Sequence, residues 1–256
     1  MWKKILILCV IIAVVGVGMT AFFKNYNVKI AITTKQHQTK HPKRHLQTGW
    51  SQQNVVVFGD SVSVGYTGIA NHADTNAWTY QVAKKLKFHS FTNYAVNAAT
   101  ITGNDTTKDF LGQIQRFQMS KTADSATVAI ISLGVNDINL TKYTPAEVAK
   151  QLKYYINEVK AMNSKLVIYG VDPMANYVLN DKKQNTKNAV GYTANAYIQA
   201  INQVYQQKGI QVYNWAKDPI VTDENHQKMY GDHVIHPTQA TQNKMAQHLA
   251  TWLANQ

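Results

Sequence analysis

The sequence predicts a three-layer α/β/α sandwich built on a central, mostly parallel, five-stranded sheet. Two observations carry that expectation. From residue 53 onward, apolar strand-like runs alternate with amphipathic helical stretches, five of each. Alternation of this kind gives a parallel sheet with helices on both faces. Helix starts are also marked locally, with Thr144 as N-cap ahead of Pro145 in a first turn, and Pro237-Thr238 opening the last helix in a similar way.

Taken in order, strands are expected at 55–58, 90–95, 127–133, 165–171 and 210–213. Helices are expected at 77–86, 107–118, 145–162, 193–207 and 237–254. In a sheet of this class ligands gather at the carboxyl ends of the strands. Ser61, Ala98 and Asn136 follow the first, second and third strands, so the topology brings them to one edge. The stretch 172–191 is long, polar and without periodicity, and reads equally as a lid or as a variable surface loop.

Ahead of this domain, assigned to 51–256, lie two segments of other character. Residues 5–23 are nineteen in a row with Thr20 the one plainly polar member. As a helix they would reach about 28 Å, close to a bilayer core. With Lys3 and Lys4 in front, 1–23 is expected to be an uncleaved signal anchor; a cleaved signal peptide is the alternative, although Met19-Thr20-Ala21 is a poor cleavage site. Either reading places the domain at the membrane or secreted, outside the cytoplasm. Cys9, the single cysteine, lies in this apolar run, so no disulfide can form within the chain.

Residues 24–50 read as a polar, basic linker. The chain's net charge is +12, of which +8 lies in residues 1–49, leaving the rest at only +4. The basic character therefore belongs to the arm, which argues against a nucleic-acid-binding face on the folded part. A basic tether is suited to anionic surface polymers or lipid headgroups, or to no specific partner at all.

Four short blocks occur in order. Gly59-Asp60-Ser61 turns out of the run Asn54–Phe58. Asn93-Tyr94-Ala95-Val96-Asn97-Ala98 and Gly134-Val135-Asn136-Asp137 follow, and Asp232-His233-Val234-Ile235-His236-Pro237 comes last. Together they resemble the four blocks of the SGNH (GDSL-type) serine hydrolases. The resemblance implies a flavodoxin-like strand order and an esterase working through an acyl-enzyme without a cofactor. It implies Ser61 as nucleophile and His236 as base. It further implies an oxyanion hole of the Ser61 N–H, the N–H at Ala98 and the Asn136 amide.

The chain departs from the family pattern twice. Ala98 stands where glycine is usual, and Asp232 lies four rather than three residues before His236, with His233 at the usual acid position. The orienting acid is expected to be Asp232, with a dyad lacking an acid, or His233 as base, as alternatives. Ser63 competes with Ser61 by residue type. A metal site from His226, Asp232, His233 and His236 lacks any familiar ligand spacing. The expected substrates are short-chain acyl or O-acetyl esters of glycans, or lipid esters near the anchor. Alternatives are a glycan O-acyltransferase of the same fold, or a membrane-tethered wall-binding module whose catalytic residues have decayed.

Overall fold

The computed structural model describes residues 49–69, 74–180 and 182–256. The expected anchor and most of the linker lie outside the described residues. Among those described, no helix is long and apolar enough to cross a membrane.

The chain builds β1 (Asn54–Gly59), α1 (Ser61–Val64), α2 (Trp78–Leu86), β2 (Ser90–Asn93), α3 (Phe110–Met119) and α4 (Thr122–Ser125). It continues with β3 (Val128–Ser132), α5 (Val135–Leu140), α6 (Pro145–Met162), β4 (Val167–Val171) and α7 (Ala194–Gln207). It ends with β5 (Gln211–Tyr213), α8 (His226–Met229) and α9 (Gln239–Ala254). The five strands form one sheet in the order β2-β1-β3-β4-β5. Every pairing is parallel.

Alternation along β1 splits the core into two layers. Val56 and Phe58 pack with α3, α6 and α7 through Phe117, Leu152 and Tyr197. Val55 and Val57 face Trp78 of α2 and Leu249 of α9. A residue period of two on a sheet buried on both faces requires apolar residues at every position, which is why 55–58 reads as an unbroken run.

Local chemistry sets the ends of the elements. At α6, Thr144 and Glu147 form a reciprocal capping box with Pro145 in the first turn. The fourth strand starts at Val167 rather than 165 because Asn163 Oδ1 accepts the N–H of Lys165 and Leu166, folding those residues into a turn. The helix expected from 107 starts at Phe110, since the Asp109 carboxylate takes the N–H of Thr100 and Asp105 and closes the preceding loop. The last helix is capped by Thr238, with Pro237 just outside it and bridged to Tyr230.

Candidate active site

Ser61 is the first residue of α1, directly beyond β1. Asp60 caps that helix, its carboxylate accepting the Val62 N–H at 3.0 Å. The turn is clamped from the side by Gln113 of α3, which accepts the Gly59 N–H at 2.9 Å and donates to the Gly59 carbonyl at 2.8 Å. Ser63 lies on the inward side of the same short helix, fully buried, and its hydroxyl makes no hydrogen bond. The two serines thus point to different surroundings.

From the other end of the chain, the loop between α8 and α9 brings in the imidazole. Ser61 Oγ and His236 Nε2 are 2.9 Å apart, and His236 Nδ1 is 2.5 Å from Asp232 Oδ2. The other carboxylate oxygen, Asp232 Oδ1, accepts three backbone N–H groups, from Val234, Ile235 and His236, at 3.0–3.1 Å. Burial alone would raise the Asp232 pKa. The hydrogen bonds from the His236 ring and from the three amides outweigh it and hold the carboxyl well below its ordinary range.

The extra residue between acid and imidazole is taken up by His233, whose φ of 67° lies in the left-handed region. That kink turns its ring outward to Gln227, with Nδ1 at 2.8 Å from the carbonyl. His226 is buried and stacked on Tyr177, with ring centroids 3.9 Å apart. The four residues of the metal reading therefore do not converge. Among the described residues no group of three His, Cys, Asp or Glu is placed to hold a metal ion.

The second and third blocks meet at one carbonyl. Asn136, buried near the start of α5, donates through Nδ2 to the Ala99 carbonyl at 2.9 Å, which leaves its second amide hydrogen. Ala98 has φ 59°, a conformation that suits the glycine usual there and costs an alanine roughly 1–2 kcal/mol. Asp137 locks this loop from below, its carboxylate accepting the N–H of Ile101 and Thr102 at 2.8 and 3.0 Å. Burial raises Asp137 to about 6, against the pull of these donors. Burial likewise raises Asp60 to about 7, although the Val62 N–H and the nearby His236 act against it.

Three contributors went unnoticed in the sequence. Gln113 is one of many glutamines, and only its buried place opposite β1 singles it out. Tyr66 packs edge-on against the His236 ring, centroids 4.6 Å apart, while its N–H bonds to the Ser61 carbonyl. Gly68, at φ 85°, passes so close to Asp232 that a side chain would strike its Cβ at 2.6 Å. The run Gly65-Tyr66-Thr67-Gly68 carried a signal, a pair of glycines just after the serine turn.

A parallel α/β sheet that lines up a hydroxyl, an imidazole and a carboxylate beyond its carboxyl edge has the architecture of the α/β hydrolytic enzymes. The profile of the GDSL-like Lipase/Acylhydrolase family matches residues 57–244, and the chain belongs to that family, whose members are ester-hydrolysing enzymes. Solved structures agree on the fold. A protein from Lactobacillus plantarum superposes with a TM-score of 0.61 at 17% identity, covering 81% of this chain and 98% of its own. A lipase/acylhydrolase from Enterococcus faecalis gives 0.59 at 15% identity, covering 80% and 96%. A family two carbohydrate esterase from Clostridium thermocellum, solved with cellohexaose, gives 0.55 at 14% identity, covering 83% and 66%. Comparison with curated protein sequences gives no match. The expected fold class, strand order and family are all met.

Proposed function

We propose that this chain is a serine esterase that cleaves short acyl esters, O-acetyl groups among them, through an acyl-enzyme formed on Ser61. The observation that carries this reading is the 2.9 Å contact of Ser61 Oγ with His236 Nε2, continued from His236 Nδ1 to Asp232. In the first half-reaction Ser61 Oγ attacks the ester carbonyl carbon and its proton passes to His236 Nε2. Asp232, ionised across the whole working range, fixes the ring tautomer and stabilises the imidazolium. The tetrahedral oxyanion is held by the backbone N–H of Ser61 and Ala98 and by the second amide hydrogen of Asn136. His236 then gives its proton to the leaving alcohol. Water, activated by the same nitrogen, releases the carboxylic acid and restores Ser61.

The alcohol part is proposed to be a glycan. Neighbours of the same fold include carbohydrate esterases from Clostridium thermocellum and Corynascus thermopiles. The apolar segment at 5–23 and the basic stretch after it support an enzyme held at the membrane, facing outward and drawn to anionic surface polymers. Labelling of the full chain with a fluorophosphonate, followed by peptide mass spectrometry, is expected to mark Ser61. Labelling at Ser63, or none, would refute the assignment. Protease added to intact cells should remove the catalytic domain if it faces outward.

A further inference from the structure

Beyond β4 and β5, residues 172–176, 184–185, 214–216 and 219–222, with Ala194, Asn195 and Ile198 of α7, enclose a cavity of about 270 Å³. It shares Asp172, Pro173, Met174, Ala175 and Trp215 with a narrow neighbouring recess. That recess reaches Asp60, Val62, Val135 and Ile235, the immediate sequence neighbours of Ser61, Asn136 and His236.

The wall of the larger cavity holds unused hydrogen-bonding capacity. Asp172 is 2% exposed and Trp215 4%, yet Asp172 Oδ1 and Trp215 Nε1 have no partner. Buried polar atoms left unpaired are costly, and a native structure that keeps two in one wall calls for something to meet them. Asn185 and Asn214 use their Oδ1 on the N–H of Asn195 and Ala216, which leaves their Nδ2 groups. The carboxamides of Gln184 and Asn195 make no hydrogen bond among the described residues. Among the residues lining the cavity there is no lysine, arginine or histidine. Burial raises Asp172 to about 7, against the pull of the Asn202 amide and of Lys217. Pro219, Ile220 and the Trp215 ring supply apolar surface beside these amides.

A wall of mixed donors and acceptors beside an aromatic face suits a ring that bears several hydroxyls on an apolar carbon skeleton. Phosphate or carboxylate would find no cation among the lining residues, and an alkyl chain would leave the amides unpaired. We infer that this cavity is a subsite for a neutral sugar residue of the alcohol part of the ester, held by Trp215, Asp172, Gln184, Asn185, Asn195 and Asn214. This rests on the esterase reading, which it extends from the reacting atoms to the leaving group.

Binding of neutral xylo- and cello-oligosaccharides to the full-length Ser61→Ala protein, followed by saturation-transfer NMR, tests the cavity independently of the chemistry. Binding is expected, and it should weaken about tenfold in Asn195→Ala, an exposed position, and in Trp215→Phe, which removes only the indole N–H from an otherwise similar ring. In the active enzyme the same changes should lower kcat/KM for an acetylated oligosaccharide relative to nitrophenyl acetate by about tenfold. An unmoved ratio together with unmoved binding overturns the subsite, as does a preference for acetylglycerol over the acetylated sugar. If nitrophenyl acetate is cleaved but no sugar binds, the subsite fails and the esterase stands. If sugar binds in a cavity-dependent way while no ester is cleaved, the subsite stands and the esterase reading fails.

Discussion

Two histidine–aspartate pairs lie among the described residues of this domain, and they differ in everything except the contact itself. His236 meets Asp232 at 2.5 Å and His248 meets Asp218 at 2.7 Å, Nδ1 to Oδ2 in both cases. In the first, the side chains are only 19% and 22% exposed, in the second 31% and 56%. Asp232 receives three backbone N–H groups on its second oxygen. Asp218 is held below its ordinary range first by the Tyr213 hydroxyl and then by His248. Above all, His236 has a serine hydroxyl on its far nitrogen, beyond the carboxyl edge of the sheet. A His–Asp contact is therefore not what defines the site. The defining features are the third group in line and the position beyond the strands.

The largest effect should come from breaking the line at either end. Ser61→Ala and His236→Ala are each expected to lower kcat on a nitrophenyl ester by about 1,000-fold or more, whereas His248→Ala should stay within about twofold. Equal losses at His236 and His248 would end the distinction drawn between the pairs. One step smaller, Asp232→Asn should cost about 100- to 10,000-fold, because an amide cannot stabilise the imidazolium as a carboxylate does. Asp218→Asn, measured in the same assay, should leave the rate near that of the wild type. An Asp232→Asn enzyme with an unaltered rate would leave a serine–histidine dyad.

Next in size, Asn136→Ala should reduce kcat by about 100- to 1,000-fold with KM nearly constant, the signature of a donor used only in the transition state. A change confined to KM would move Asn136 to ground-state binding.

The carboxyl groups around the first pair can also be told apart by pH. Asp232 is held low, so its stabilising contribution is present above the unfolded carboxylate range near ~4 and is lost only as pH falls through its folded pKa. Asp60 has the opposite sign. With its folded pKa at about 7, the native state keeps a proton that the unfolded chain has released, and stability declines as pH rises from ~4 to ~7. Carboxyl carbon chemical shifts followed by NMR should show Asp60 titrating near neutrality and Asp232 still ionised at pH 4. Relative to wild type, Asp60→Asn should gain on the order of 2–4 kcal/mol in stability between pH 4 and pH 8. A constant difference across that range would show that Asp60 is ionised throughout.

Ala98→Gly should give the smallest change. The donor there is a backbone N–H, so activity should persist, while relief of the left-handed alanine should raise stability by about 1 kcal/mol in a thermal or urea titration. Loss of activity would mean that the methyl group itself is needed.

The comparison also explains what the sequence makes legible. The strands of β1 and β3 are apolar on both faces and stand out against polar connections, so the sheet and its carboxyl edge could be read directly. The Ser61, Asn136 and His236 blocks were readable because each sits where a strand or helix ends. Asp232 was harder, since a four-residue offset reaches the ring only if the chain kinks, and the kink at His233 is a backbone conformation that its residue type does not announce. Gln113 on Gly59 and Tyr66 on His236 act across long stretches of chain, through contacts that exist only after packing. The cavity lined by 172–176, 184–185, 214–216 and 219–222 is of the same kind. Its amides look like ordinary surface composition until two loops far apart in the chain face each other.

Gln113 has one more implication. A glutamine side chain ends in the same chemical group that links residues in the main chain, with one face that gives a hydrogen and one that takes it. By meeting both the N–H and the carbonyl of Gly59, a carbonyl it shares with the Val96 N–H, this carboxamide serves as a single-residue extension of the sheet just past the end of β2. The turn at Gly59-Asp60-Ser61 is thereby spliced to α3, and the register of a helix on one layer is transmitted to the position of Ser61. Lengthening or shortening α3 by one residue ahead of Gln113 would therefore be felt at the Ser61 hydroxyl without any change in the four blocks that surround it.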